Sequence, residues 1–313
     1  KTQMDSRILL NDGNSIPIFG FGTYCLRDSV CEQAILSAFK AGYRCIDTAT
    51  IYKNEASVGK ALRESGLRRD DVFITTKISP KECGYESTIL AINESLTRLD
   101  TDYLDLCLIH WPGIAKFKPA DTKQIEIRVQ TWLALEYAKN TLKVIRSIGV
   151  SNFLPTHLDT IILDPRTSIV PAVNQIELHP LFLQKETVDY CRKKSIIIQS
   201  YSPLAQGNSI LLECPSILSI VNTYRRERID SNSSNNDNEI TAAQICLLWA
   251  IQHGFAVIPR SSQPQRIIQN AKALYLRPLT SDEMEIIDNI TQTNEGIDGH
   301  SSRKFCWDPA AVV

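Results

Sequence analysis

The sequence predicts a (β/α)8 barrel, on three observations. Short, almost wholly apolar segments alternate with amphipathic ones; the alternation repeats eight times; and no shift in composition divides the 313 residues into separate units. Short apolar strands are those of a parallel sheet buried on both faces by helices. Eight such units, in a chain somewhat longer than the ~250 residues common for the fold, argue for a closed barrel over an open doubly wound sheet. One domain over residues 1–313 is expected.

Residues 7 to 18 read as a β-hairpin: Ile8-Leu9-Leu10, a turn at Asn11-Asp12-Gly13-Asn14, then Ile16-Pro17-Ile18. The barrel strands are placed at 19–24, 43–47, 72–77, 104–110, 144–150, 170–175, 196–201 and 255–260. Val72-Phe73-Ile74 and Ile196-Ile197-Ile198 are typical of them. Helical spacing of apolar residues places helices at 29–41, 53–65, 85–99, 126–140, 155–163, 184–194, 215–228 and 240–252, with two more at 264–274 and 280–292. Ser231 to Asn238 is polar and of low complexity, and is expected to be a surface loop.

Composition narrows the class. With 43% hydrophobic and 22% charged residues and a net charge of −1, the chain is an ordinary globular one with no bulk attraction for nucleic acid or an anionic membrane. No apolar run approaches the ~20 residues of a membrane helix, and with no apolar stretch after Lys1-Thr2-Gln3 no secretory signal is expected. Nine cysteines, odd in number and without a Cys-x-x-Cys pair, form neither a disulfide framework nor a zinc site. Cys45, Cys107 and Cys246 lie in apolar runs and read as core. A reduced, cytoplasmic protein is expected.

The chemistry gathers at strand ends. Gly42 to Ile46 leads into Asp47, with Tyr52 in the loop before the next helix; Val72 to Thr76 ends on Lys77; Leu104 to Ile109 ends on His110, followed by Trp111-Pro112. Alone, Asp47 reads equally as a turn cap and Tyr52 as a half-buried loop aromatic. Three successive strands ending in Asp47, Lys77 and His110 argue otherwise, because neighbouring barrel strands bring such ends together at the carboxyl face, where barrels do chemistry. A phenol of ordinary pKa ~10 keeps a proton to donate. A nearby ammonium is expected to lower that pKa, a carboxylate to hold the ammonium charged, and an imidazole to orient a carbonyl oxygen. The set suits hydride addition to a C=O but supplies no hydride, so a cofactor is required.

No Gly-x-Gly-x-x-Gly run offers a Rossmann site. Later strand ends offer another. Gly149-Val150-Ser151-Asn152-Phe153, Val173-Asn174-Gln175 and Gln199-Ser200-Tyr201-Ser202-Pro203-Leu204 place amides and hydroxyls suited to a carboxamide, and Tyr201 suits stacking on a flat ring. Arg260, Ser261, Ser262 and Arg266, with Asn270, surround a helix start and read as a phosphate site, or else as solvated surface charges. For a metal, His110, His179 and Asp47 are the sole plausible ligands, and His179 in Leu178-His179-Pro180 reads better as structural.

These segments, taken in order from about residue 8 to 309, resemble the signature segments of the aldo-keto reductases. The resemblance rests on Gly42 to Ala49, Tyr52, Lys77, Ile109 to Pro112, Gly149 to Phe153, Asn174-Gln175, Tyr201 to Leu204 and Ile258 to Ser261. It implies a monomeric barrel that reduces aldehydes and ketones with NADPH, bound extended, and whose C-terminal tail crosses the active-site face. Transferred by position, Tyr52 is the general acid, Asp47 and Lys77 its tuning pair, and His110 the carbonyl-orienting donor. Gly22, Thr23, Asp47, Ser151, Asn152, Gln175, Tyr201, Ser202, Leu204, Arg260, Ser261, Ser262, Arg266 and Asn270 would contact the cofactor, with Arg260, Ser261 and Arg266 on the 2′-phosphate. Tyr24, Tyr52, His110, Trp111 and Trp307 would line the substrate pocket.

Departures from the pattern are Arg260 where lysine is frequent, Gln263 and Gln269 where threonine and glutamate are, and Tyr24 where many members carry tryptophan. Short connections after Pro112 and Gly207 resemble the subgroup of glyoxal and diketogluconate reductases and prostaglandin F synthases. A dedicated prostaglandin or keto-sugar reductase, and a barrel that binds NADPH without turnover, are the alternatives.

Overall fold

The computed structural model describes residues 3–230, 240–291 and 303–313; the polar 231–238 stretch lies outside them. A hairpin of β1 (Arg7–Leu9) and β2 (Ser15–Pro17) opens the chain, with Ile8 opposite Ile16. The barrel strands follow as β3 (Phe21–Gly22), β4 (Cys45–Asp47), β5 (Phe73–Ile78), β6 (Leu104–Ile109), β7 (Ile145–Ser151), β8 (Val173–Glu177), β9 (Ile197–Tyr201) and β10 (Ala256–Val257). All eight are parallel and adjacent in chain order. A parallel bridge between Phe19 and Val257, with Val257 N donating to Ile18 O at 2.9 Å and Gly20 N to Val257 O at 2.8 Å, closes the ring.

Helices α1 (Asp28–Lys40), α2 (Glu55–Ser65), α3 (Tyr85–Leu99), α4 (Lys123–Asn140), α5 (Pro155–Ile162), α6 (Lys185–Lys193), α7 (Ser209–Leu212), α8 (Pro215–Asp230), α9 (Ala242–Gln252), α10 (Pro264–Ala271) and α11 (Ser281–Asp288) cover the sheet. Their inward faces form the main core, with Trp132, Trp249, Ile35 and Leu135 fully buried. On α2 that face includes Gly59, where a Cβ would lie 2.4 Å from Leu99 O at the end of α3, so only glycine permits the approach. No helix among the described residues is long and apolar enough to cross a membrane.

A second, smaller core fills the barrel. Leu10 and Ile16 of the hairpin pack with Cys45, Phe73, Leu106, Leu108, Ala172 and Val173. The hairpin thus plugs the amino-terminal end of the barrel, with Asn14 Nδ2 donating to buried Ser147 Oγ at 3.1 Å.

Strand boundaries differ from expectation where proline or polar groups intervene. The sixth barrel strand, expected at 170–175, runs Val173–Glu177, because Pro171 cannot donate to a ladder. The last, expected at 255–260, shortens to Ala256–Val257, although Gly22 N still donates to Pro259 O at 3.1 Å. The first, expected at 19–24, is reduced to Phe21–Gly22 plus the Phe19 bridge. The short helix α7 was not expected.

Candidate active site

Asp47 is the last residue of β4, Lys77 lies next to the end of β5, and His110 follows β6 directly. Parallel pairing sets Asp47 opposite Thr75 and Lys77 opposite Leu108, so the three side chains rise from adjacent strands. Tyr52 closes a single 3-10 turn, Thr50–Tyr52, and Lys53 at φ 57 redirects the chain into α2.

Lys77 is wholly buried and Asp47 is 2% exposed, so this ion pair stands in the interior. Lys77 Nζ donates to Asp47 Oδ1 at 2.6 Å, to Thr48 O at 2.8 Å and to Tyr52 Oη at 3.4 Å. The other carboxylate oxygen, Asp47 Oδ2, accepts from Gln175 Nε2 at 2.7 Å, and that amide also donates to Gln199 Oε1 at 2.8 Å. Burial pushes the Asp47 carboxyl up and the Lys77 ammonium down, and each partner opposes the other's shift.

The phenol departs from expectation. Tyr52 is held well above its ordinary value, first by burial and then by the Asp47 charge. The physical reason is first that the phenol is taken out of water, where its charged form is disfavoured, and second that the Asp47 carboxylate, paired to Lys77 at 2.6 Å, opposes a second negative charge beside it. The resting Tyr52 therefore keeps its proton. Because its oxygen accepts from Lys77, that proton points away from the pair. His110 is pushed well below its ordinary value by burial and by Lys77, so the imidazole is neutral; its Nδ1 is buried without a hydrogen-bond partner among the described residues.

The residues expected at the cofactor ring lie together. Ser151 Oγ donates to Gln175 O at 2.8 Å, Asn152 Nδ2 to His110 O at 3.0 Å, and Tyr201 Oη to Asn152 Oδ1 at 2.7 Å. Asn152 and Ser202 adopt positive φ, 65 and 48, turning the chain sharply just past β7 and β9. Leu204 follows on the same turn, before Ala205–Gly207. Gly22 pairs in register with Asp47, and Thr23 Oγ1 donates to Asp47 O at 2.9 Å. A Cβ on Gly22 would lie 3.0 Å from Ile258 O.

At the expected phosphate site, Ser261 is buried and its Oγ accepts from Gln263 N at 3.0 Å, at the start of α10. Asn270 is buried on α10, whereas Arg260, Ser262 and Arg266 are exposed. Neither arginine makes an ion pair among the described residues. Two uncommitted guanidinium groups beside a helix start fit an anionic, phosphate-bearing cofactor.

Aromatic rings line one side of the phenol. Centroid separations run 5.1 Å from Tyr24 to Tyr52, 5.6 Å from Tyr52 to His110, 6.3 Å from His110 to Trp111 and 4.9 Å from Trp111 to Trp307. The tail thus reaches the site, as expected, with Trp307 61% exposed. No group of three metal-ligating side chains occurs among the described residues.

Sequence reasoning missed Asn54. Its buried amide donates to Thr23 O and Leu26 O at 2.9 Å each and accepts from Thr48 Oγ1 at 2.6 Å, tying the loop that carries Tyr24 to the one that carries Tyr52. An asparagine immediately before a helix is a cap signal, but this side chain makes no cap bond. It bridges loops instead. Gln199 was likewise not foreseen as a partner of Gln175.

A polar cluster with a buried lysine–carboxylate pair at the carboxyl ends of a (β/α)8 barrel defines an enzyme of the barrel class. Residues 20–292 match the model of the aldo/keto reductase family, and the chain belongs to that family; it is an oxidoreductase. It is 38% identical to a glyoxal reductase of Bacillus subtilis over 292 residues, 93% of this chain and 95% of that one. Among solved structures, an aldo/keto reductase from Brucella melitensis superposes with a TM-score of 0.79 at 38% identity, covering 91% of this chain and 97% of that one. A Bombyx mori aldo-keto reductase in complex with NADP gives 0.77 at 32% identity, covering 91% and 92%.

Proposed function

We propose that this protein reduces small aldehydes and ketones, α-dicarbonyls such as glyoxal among them, to alcohols with NADPH, using Tyr52 as the general acid. The observation that carries the reading is the Lys77–Asp47 pair buried beneath a phenol that faces His110. The glyoxal reductase relative supports the substrate class, and the NADP-bound neighbour supports the cofactor.

Arg260, Ser261 and Arg266 hold the 2′-phosphate, Asn270 the adenine end, Ser151, Asn152 and Gln175 the carboxamide, and Tyr201 the ring. When bound, NADPH supplies the hydride. The chain supplies the rest. Neutral His110 donates to the carbonyl oxygen and fixes it beside Tyr52 Oη. Tyr52 gives that oxygen its proton as negative charge develops there, and Lys77 at 3.4 Å stabilises the phenolate left behind. Asp47, gripped from the far side by Gln175, keeps the lysine charged and aimed.

The test is loss of absorbance at 340 nm with NADPH and a panel of methylglyoxal, an aromatic aldehyde, a keto sugar and a prostaglandin endoperoxide. Turnover that Tyr52→Phe lowers by about a hundredfold or more, with NADPH binding retained, is the expected result. Undiminished turnover by the variant removes the general-acid assignment. Tight NADPH binding with no turnover of any carbonyl by the wild type overturns the reductase reading.

A further inference from the structure

Strand β8 carries a buried acid that the proposed chemistry does not use. Glu177 lies two residues beyond Gln175 and is 1% exposed. A buried carboxylate is costly unless its oxygens are satisfied. Here the compensation comes from the far end of the chain: Oε1 accepts from Phe305 N at 2.7 Å and Oε2 from Cys306 N at 3.0 Å, while His179 Nε2 stands 3.3 Å from Oε1. The pKa of Glu177 is held low by His179 and these two amides, against its burial. Those amides belong to the two residues immediately before Trp307.

We propose that Glu177 is a positioning residue for substrate selection: its carboxylate latches the tail at Phe305 and Cys306 and so holds Trp307 against Trp111 at the mouth of the site. This rests on the reductase reading above, which places the substrate beside Tyr52. The surroundings fit a latch. Arg303 N donates to Leu181 O at 2.9 Å, and the Phe305 ring lies 5.5 Å from His179, so the tail docks on the segment just past β8. Further along, Val313 N donates to Pro119 O at 3.1 Å and His157 Nε2 bonds Val312 O at 2.7 Å. Trp307 is strung between these two anchorages, and its ring meets Trp111 edge-on at 4.9 Å. Its position therefore depends on both anchors. Glutamine at 177 keeps one acceptor but turns an NH2 toward an N–H, which releases one amide.

The experiment uses the NADPH-loaded enzyme with methylglyoxal and 4-nitrobenzaldehyde. Glu177→Gln is expected to raise KM for the aromatic aldehyde about tenfold, the effect of losing one ring contact. Its kcat, its NADPH affinity and its KM for methylglyoxal should stay within about twofold, since ring contacts matter little to so small a substrate. Trp307→Ala should reproduce this pattern, and the double variant should be no worse than Trp307→Ala alone. Equal losses on both aldehydes, or a Glu177→Gln effect that persists without Trp307, overturns the proposal. If Glu177→Gln does not fold, Glu177→Asp, which keeps the charge but shortens the reach, is held to the same expectations. Hydrogen exchange separates the latch from the function. Faster exchange at Phe305 and Cys306 in the variant supports the latch even if no carbonyl is turned over, and unchanged exchange overturns it even if the reductase is active.

Discussion

Replacing Asp47 by asparagine leaves the Lys77 ammonium fully buried with no carboxylate in contact, only the more distant Glu55. Its remaining partners are Thr48 O at 2.8 Å and Tyr52 Oη at 3.4 Å. The new amide must also turn its NH2 toward either Lys77 Nζ or Gln175 Nε2, both donors. Breaking one side of a buried ion pair costs about 3–5 kcal/mol. With ~2.1 cal/mol/K of unfolding entropy per residue over 313 residues, that is a fall of about 5–8 °C in Tm. Stripped of its carboxylate, Lys77 is driven toward its neutral form, and turnover should fall by about a hundredfold or more. Adding Lys77→Met removes the orphaned charge, so the double variant should regain most of the lost Tm and none of the activity. Calorimetry and the 340 nm assay on the two single variants and the double decide it. A single variant that melts with the wild type, or a double variant that melts at the sum of the two losses, refutes the buried-pair argument.

Other outcomes follow from separate parts of the molecule. Arg266→Ala should weaken NADPH by about tenfold or more, the worth of a charge-assisted hydrogen bond, and NADH much less; equal losses in a fluorescence titration remove the 2′-phosphate role. Buried His157 accepts from Leu154 N at Nδ1, and burial lowers its pKa to about 4. The unfolded imidazole takes its proton near ~6.5 while the folded one stays neutral, so stability is lost as pH falls from there and the loss is complete below about 4. It amounts to about 2 kcal/mol by pH 5. Denaturant unfolding at pH 7 and pH 5 should show His157→Gln losing about 2 kcal/mol less than the wild type, whose buried, neutral His110 contributes a further loss that the variant retains.

The barrel was legible because its strands are short and apolar, and a polar residue at the end of an apolar run announces its own position. Asp47, Lys77 and His110 were found that way, and the structure brings them together with Tyr52. What stayed hidden depends on partners distant in sequence. Gln175 was read as a carboxamide ligand, yet its amide also grips Asp47, 128 residues away. Glu177 drew no notice because its partners lie in the tail, 128 and 129 residues on. The phenol's direction of shift was misread for a related cause: residue types reveal an ammonium nearby, but only the folded chain reveals how deeply the phenol is buried and how close the Asp47 carboxylate stands.

The bond between Gln175 and Asp47 has a consequence for how the chain acquires activity. The second strand of the barrel cannot complete its polar contacts until the sixth has been made and seated across the barrel from it. A nascent chain that stops short of residue 175 holds Asp47, Tyr52, Lys77 and His110 but lacks the amide that steadies the carboxylate. Turnover therefore requires the sixth strand in place: an amino-terminal half that stops short of it should be silent alone and regain function when the missing half is supplied in trans.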